Sequence, residues 1–148
     1  MSGNNCGSLR ISAALLQSQQ VKTLWFRNCT DLGKQWNYGS FGFYLDSPYE
    51  IIIEAERGSP STILAIDDIY FKESQYCSVT PNEAQSDVLP LPTQTPTTTP
   101  TSTIQPSVYD CDFENENMPF CNWINDYNRP LNWTRRQGKS PTLSKKLI

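Results

Sequence analysis

The residue types that could carry chemistry in this chain are carboxylates and cysteines. Its 148 residues contain 15 Asp and Glu, five Cys and no His. Without histidine the chain cannot build a Ser-His-Asp triad, a Cys-His pair or a histidine-ligated zinc site. A formal net charge of −3 also argues against a nucleic-acid-binding protein, because such proteins present a basic face.

The adjacent carboxylates Asp67 and Asp68 suggest a paired acid/base site. Neighbouring residues of a strand point to opposite faces, however, so these two cannot line one site together. Counting by twos places Asp67 with Ile69 and Phe71 on the face expected to be buried. A buried carboxylate needs a partner, and both an ion pair with Arg57 and a bound cation are open.

Two other groups of side chains could bind a ligand. Trp123 and Trp133 could stack on one, although large aromatic residues beside a cysteine more often belong to the core. Arg135, Arg136 and Lys139 form a small basic cluster that could attract acidic glycans. A solvated strand end is the interpretation that the sequence favours.

The cysteines suggest two disulfides. Cys111 and Cys121 close a short loop, in which a bridge would stabilise the fold by about 3 kcal/mol. Cys6 and Cys29 flank two predicted strands. In a hairpin whose facing residue numbers add up to 35, they would lie opposite each other, within reach of a bridge. Two buried free thiols are the alternative, and Cys77 is left over in either case.

The elements that must position these side chains are predicted to be strands. Apolar and polar residues alternate with a period of two, bounded by Gly, Pro, Asn and Asp, and no useful 3.6-residue periodicity is found. This pattern predicts an all-β domain of half-buried antiparallel strands, as in a sandwich. The predicted strands are Leu9–Leu15, Thr23–Asn28, Phe41–Leu45, Glu50–Arg57 and Ile63–Phe71.

Composition divides the chain into three regions, 1–77, 78–108 and 109–148. Residues 88–107 carry no charge and include five prolines. This stretch lacks the apolar residues that could offset its ordering entropy, so a disordered, extended linker is predicted, reaching about 3.1 Å per residue. Dense Thr and Pro are also typical of an O-glycosylated stalk, and a bare linker is the alternative.

Asn28 and Asn132 each begin an N-glycosylation acceptor triplet, Asn28-Cys29-Thr30 and Asn132-Trp133-Thr134. Together with the cysteines and the Thr/Pro-rich stretch, these triplets favour an oxidising, extracellular setting. No stretch approaches the roughly 18–20 apolar residues that a membrane span needs. A membrane anchor elsewhere in a parent chain is left open.

Short motifs occur in the third and the first regions. The third region contains Cys111-Asp112-Phe113-Glu114, Phe120-Cys121-Asn122-Trp123 and Asn132-Trp133-Thr134-Arg135. The first region contains Gly7-Ser8-Leu9-Arg10-Ile11, Leu24-Trp25, Gly33-Lys34-Gln35-Trp36, Glu54-Ala55-Glu56-Arg57-Gly58 and Ile66-Asp67-Asp68-Ile69-Tyr70-Phe71, ending at Cys77. On these motifs the third region is similar to the opening of a MAM domain, the extracellular module named after meprin, the A5 antigen and receptor phosphatase mu. The first region resembles the closing half of such a domain.

The resemblance implies a jelly-roll β-sandwich present as two partial copies. Residues 1–77 would be the C-terminal half of one MAM domain, 78–108 the linker, and 109–148 the N-terminal part of a second domain. In this family the first two cysteines pair, which implies a Cys111–Cys121 bridge. Cys77 would pair with a cysteine upstream of this sequence, and Cys6 and Cys29 depart from the usual four-cysteine set.

The resemblance also implies candidate ligands for a structural cation, since some MAM domains hold a metal ion. They are Asp67 in one copy and Asp112 and Glu114 in the other. Because these residues fall in different copies, no complete site is expected, and no other cofactor is implied.

The function implied is a non-catalytic extracellular adhesion or recognition segment of a multi-MAM cell-surface or matrix protein. Its partners would be cell-surface proteins or further copies of itself, and nothing in the residues identifies a ligand. One alternative is the accessory ectodomain of a membrane protease or receptor phosphatase. Another is a truncated product with no independent function.

Overall fold

The computed structural model describes residues 7–28, 35–60, 62–72, 78–87 and 106–136. The chain divides into two compact units, each built from two separate segments. The first unit comprises Met1–Ile63 and Ser74–Thr97, and the second comprises Leu64–Glu73 and Thr98–Ile148. Ile66–Phe71 and the segment that begins at Cys111 therefore belong to one unit. Their assignment to successive module copies stays a prediction.

The first unit contains a three-stranded antiparallel sheet in the order β2-β1-β3. The strands are β1 (Ser8–Leu15), β2 (Val21–Arg27) and β3 (Tyr49–Glu56). Each lies within two residues of a strand that the alternating pattern predicts. β1 is the central strand because both neighbours pair with it.

The β1–β2 hairpin changes register at a bulge. Next to the turn, facing residue numbers add up to 35, as for Ser12 and Thr23; beyond it they add up to 36, as for Ile11 and Trp25. Leu24 is the extra residue between these pairs, which is the arrangement of a β-bulge.

The bulge affects the predicted bridge between Cys6 and Cys29. Cys6 and Cys29 would face each other only in a pairing in which residue numbers add up to 35. The structure shows that pairing only between the turn and Leu24, and beyond Leu24 it is displaced by one residue. Cys6, Cys29 and Cys77 lie outside the described residues, so their pairing stays a prediction.

The apolar face of the sheet follows the predicted alternation on β1 and β3. On β2 the bulge leaves both Leu24 and Trp25 buried, although alternation predicts that these neighbours lie on opposite faces. Ile11 pairs with Ile53 and Ala13 with Ile51, and cross-strand neighbours share a face. Trp25 faces Ile11 from β2 and is 6% exposed, while Ala13 and Leu24 are fully buried. These side chains form the core of the first unit.

Residues 78–87, placed in the linker by composition, are hydrogen-bonded to the first unit. Phe26 and Gln85 exchange two backbone hydrogen bonds of 2.8 Å, and Ser40 pairs with Thr80 in the same way. The indole N–H of Trp25 donates to the Thr80 carbonyl oxygen at 3.0 Å. The start of the predicted linker is thus part of a folded unit, and its remainder up to residue 105 lies outside the described residues.

The predicted strand Phe41–Leu45 is not a regular strand in the structure. Its aromatic side chains stack instead: the Phe41 and Phe43 rings are 6.0 Å apart, and Phe43 meets Tyr49 edge-on at 5.6 Å. Alternation here reflects side-chain packing rather than a hydrogen-bonded ladder.

The second unit joins residues 64–72 to residues 106–136. Ile69 and Cys111 exchange backbone hydrogen bonds of 2.9 Å as an isolated antiparallel bridge. The predicted strand Ile63–Phe71 does not form continuously, because Asp68 has a φ of 52°, which interrupts extended backbone. Cys111 and Phe113 are buried at its centre, packed against Ile66, Ile69, Phe120, Cys121, Trp123 and Trp133.

The described residues contain strands and bridges and no helix, in agreement with the all-β prediction. Within those residues there is accordingly no helix long and apolar enough to cross a membrane. The jelly-roll topology and the two partial copies stay predictions.

Candidate functional site

A disulfide joins Cys111 and Cys121 in the second unit, with their Cα atoms 5.8 Å apart. This is the pair that the MAM resemblance implies. Side-chain oxygens shape the loop between them: Asp112 Oδ1 accepts from the Glu114 amide at 2.9 Å, and Asn115 Oδ1 accepts from the Asn117 amide at the same distance. Such local acceptors favour tight turns, so the loop is held at several points besides the bridge.

Asp110 ties the two segments of the second unit together. Its Oδ1 accepts from the Phe71 amide at 2.6 Å, and its Oδ2 accepts from the Ser107 amide at 3.0 Å. Both carboxylate oxygens thus satisfy backbone donors on different segments. Hydrogen bonds to an ionised acceptor are the stronger kind.

A row of carboxylates lies along the Ile69–Cys111 bridge. Asp68 and Tyr70 flank Ile69 on one side of this bridge, and Asp110 and Asp112 flank Cys111 on the other. The pKa of the Tyr70 phenol is raised, first by the negative charge of Asp68, then by partial loss of solvent. Asp112, a hydrogen bond to Asp68, and Asp110 raise the Tyr70 pKa further.

The predicted cation ligands Asp67, Asp112 and Glu114 all belong to the second unit. Asp67 Oδ1 accepts from the Asp68 amide at 3.0 Å, and Asp112 accepts from the Glu114 amide. The part of the chain that the structure describes contains no group of three or more His, Cys, Asp or Glu side chains placed to hold a metal ion. Arg57, the proposed ion-pair partner of Asp67, donates to the Pro60 carbonyl oxygen.

Trp123 and Trp133 pack against the buried Cys111 and Phe113 rather than forming an open stacking pair. The Trp123 indole N–H donates to the Tyr109 carbonyl oxygen at 3.0 Å, and its ring stacks on Phe71 at 6.4 Å. Their placement supports a core role, the interpretation that the sequence favours.

Asn125 contacts Trp133 in a way that the sequence does not indicate. Asn125 Oδ1 accepts from the Trp133 amide at 3.0 Å, and its Nδ2 donates to the Trp133 carbonyl oxygen at 3.1 Å. One side chain thus satisfies both backbone groups of Trp133. No sequence motif signals this contact across eight residues.

Both predicted glycosylation sites are exposed. Asn28 follows the end of β2, and Asn132 precedes Trp133 in the second unit. Thr30, which completes the first triplet, lies outside the described residues, whereas Thr134 of the second triplet is exposed.

Exposed aromatic side chains provide surfaces that a partner could contact. In the first unit, Trp36, Tyr38 and Tyr44 are 55%, 78% and 70% exposed. In the second unit, Tyr70 and Tyr127 are 58% and 77% exposed. Tyr and Trp combine a large apolar area with a polar tip, which suits them to interfaces.

Comparison of the chain with protein-family models and with solved structures gave no match in either case.

Proposed function

We propose that the chain is a non-catalytic recognition segment of an extracellular multi-MAM protein. The order and spacing of the MAM-like motifs carry this proposal. The closing motifs come first, the Thr/Pro-rich stretch follows, and the opening motif with its two cysteines comes last. Two partial jelly-roll sandwiches on a stalk suit a cell-surface or matrix protein that presents β-sheet surfaces to partners.

The disulfide supports the extracellular part of the proposal. Bridges persist in oxidising compartments, and Cys111 and Cys121 lie at bonding distance on a loop shaped by its own side chains. Asn28 and Asn132 are exposed, as attached glycans require.

Exposed aromatic residues support a binding role. Tyr38 and Tyr44 are exposed in residues 35–48, a segment in which Phe43 packs against Tyr49 of the sheet and Phe41 stacks on Phe43. A contact surface held by packed neighbours loses little conformational entropy on binding. The partner is proposed to be a cell-surface protein or a second copy of the chain.

Adhesion of beads coated with the full chain tests this function. The chain, produced behind a secretion signal, is expected to leave the cell with glycans at Asn28 and Asn132. Coated beads are expected to aggregate with one another or to attach to cultured cells. The double substitution Tyr38→Ser with Tyr44→Ser is expected to weaken attachment.

Tyr127→Ser is the comparison variant, because it removes an equally exposed ring from the other unit and shows whether that surface also takes part in attachment. Retention of the chain inside the cell, or secreted chain whose beads neither aggregate nor attach, would contradict the proposed function.

A further inference from the structure

The middle residue of the acceptor triplet Asn132-Trp133-Thr134 is held by a side chain outside the triplet. Asn125 engages the Trp133 amide at 3.0 Å and the Trp133 carbonyl oxygen at 3.1 Å. Paired hydrogen bonds of this kind replace the two that a neighbouring strand would supply. The backbone of Trp133 is thus closed to any other extended partner.

The side chain of Trp133 is also fixed. It packs against the cluster of Cys111 and Phe113, both 2% exposed, and Cys111 is anchored by the disulfide to Cys121. Asn132, by contrast, is exposed. Asn132 is therefore exposed on a backbone that is held next to it by Asn125 and by the packing of Trp133.

Glycan transfer requires the triplet to enter the active site of a transferase. The Asn132 Nδ2 forms a bond to C1 of the sugar, the bond from C1 to the polyprenyl diphosphate oxygen breaks, and the amide proton passes to a base of the transferase. The enzyme must fit the triplet into its own active site, and a segment whose backbone is already hydrogen-bonded on both sides adapts poorly to such a site. The amide and carbonyl groups of Trp133 must first break their hydrogen bonds to Asn125.

We propose that Asn125 controls glycan acceptance at Asn132 by closing the triplet once the second unit has folded. Transfer then takes place before folding or during local opening, and occupancy reports the competition between the two. This inference rests on the proposed function, since it requires that the chain meets a glycosyltransferase.

Transfer to the purified full chain tests the inference. The chain, made in a host without N-glycosylation and oxidised, is incubated with an oligosaccharyltransferase and a polyprenyl-diphosphate oligosaccharide. Occupancy of Asn132 is then measured by mass spectrometry of peptides. The folded chain is expected to accept little glycan, and the reduced, unfolded chain is expected to accept it readily.

Asn125→Ala removes both hydrogen bonds and is expected to raise the initial rate of transfer to Asn132 about tenfold. Asn125→Asp keeps the acceptor for the Trp133 amide and loses the donor, so an intermediate rate is expected. Protection of the Ile69 amide from hydrogen exchange shows whether the second unit is still folded in each variant.

Asn122→Ala is the matched control, because it removes another amide side chain of the same unit, one that donates to the Val108 carbonyl oxygen at 2.7 Å. Its rate is expected to equal that of the unchanged chain. Equal rates for Asn125→Ala and the unchanged chain would overturn the inference while leaving the proposed function intact. Failure of even the unfolded chain to accept glycan would overturn both the inference and the assignment of Asn132 as an acceptor.

Discussion

Single polar side chains, rather than strand ladders, hold the second unit together. Asp110 accepts from backbone amides on both segments, and Asn125 replaces a strand partner for Trp133. Only one backbone bridge, between Ile69 and Cys111, joins the two segments among the described residues. Substitutions that keep the size of these side chains and change their hydrogen-bonding groups are therefore expected to have large effects.

Asp110→Asn is expected to lower the free energy of unfolding of the second unit by about 1–3 kcal/mol. The substitution replaces one acceptor oxygen by an NH₂ group that faces a backbone donor. The loss is measured by denaturant unfolding that is monitored through hydrogen exchange of the Phe71 amide. Asp126→Asn is the control, because the Asp126 carboxylate contacts exposed groups of its own turn, the Asn128 amide at 3.0 Å and the Arg129 side chain at 3.2 Å, and an exposed ion pair contributes about 0–1 kcal/mol. Equal losses for the two variants would contradict this role of Asp110.

The charge of Asp68 is expected to be visible in the titration of Tyr70. The Tyr70 pKa is raised chiefly by Asp68, so the folded state holds the phenolic proton more tightly than the unfolded chain does. The resulting stability is present below the ordinary tyrosine pKa of about 10 and is lost as the pH rises through the folded value.

Asp68→Asn is expected to lower the Tyr70 pKa and to weaken this alkaline loss of stability. Absorbance titration of the phenolate measures the pKa, and thermal unfolding between pH 9 and about 11 measures the loss. An unchanged Tyr70 titration in Asp68→Asn would show that Asp68 is not the main cause.

At the scale of elements, alternation in sequence predicts three strands correctly. β1 and β3 follow it because each places apolar side chains on one face of the sheet, whereas β2 departs from it at the bulge, where Leu24 and Trp25 are both buried. The bulge at Leu24 could not be predicted from the sequence, because no glycine or proline lies at that position. Its location depends on how β1 and β2 pair on either side of it. Asp110 and Asn125 were missed for a similar reason: their contacts cross 39 and eight residues and leave no local pattern.

The β1–β2 turn contains no glycine, although one of its residues adopts a backbone conformation that favours glycine. Gln19 has a φ of 56°, in the left-handed region that costs a residue with a Cβ roughly 1–2 kcal/mol. Gln19→Gly is expected to stabilise the first unit by about 0.5–1 kcal/mol, after the extra chain entropy of glycine is subtracted. Chemical denaturation measures the gain.

Gln20→Gly is the matched control for the turn. Gln20 is also exposed but is not among the residues with positive φ, so glycine there adds only chain entropy and is expected to lower stability. A gain at both positions would show that the backbone of Gln19 is not strained.

At the scale of the whole molecule, the two units differ in how they are held together. The first relies on a sheet with a buried apolar face, whereas the second has a small buried centre next to a disulfide. The low apolar content of the chain agrees with this division, because a small core is commonly supplemented by a bridge.

Removal of the Cys111–Cys121 bridge is therefore expected to affect the units unequally. In the double variant Cys111→Ser with Cys121→Ser, the unfolded state regains entropy worth about 3 kcal/mol, so the Ile69 amide should lose most of its protection from hydrogen exchange. The sheet amides of Ile11 and Ile53 should keep theirs, because they belong to the first unit, whose buried core is formed by other residues. Substitution rather than chemical reduction is used so that other cysteines are untouched. Equal loss of protection at all three amides would mean that the units unfold as one. The prediction that the two units have separate stabilities would then be wrong.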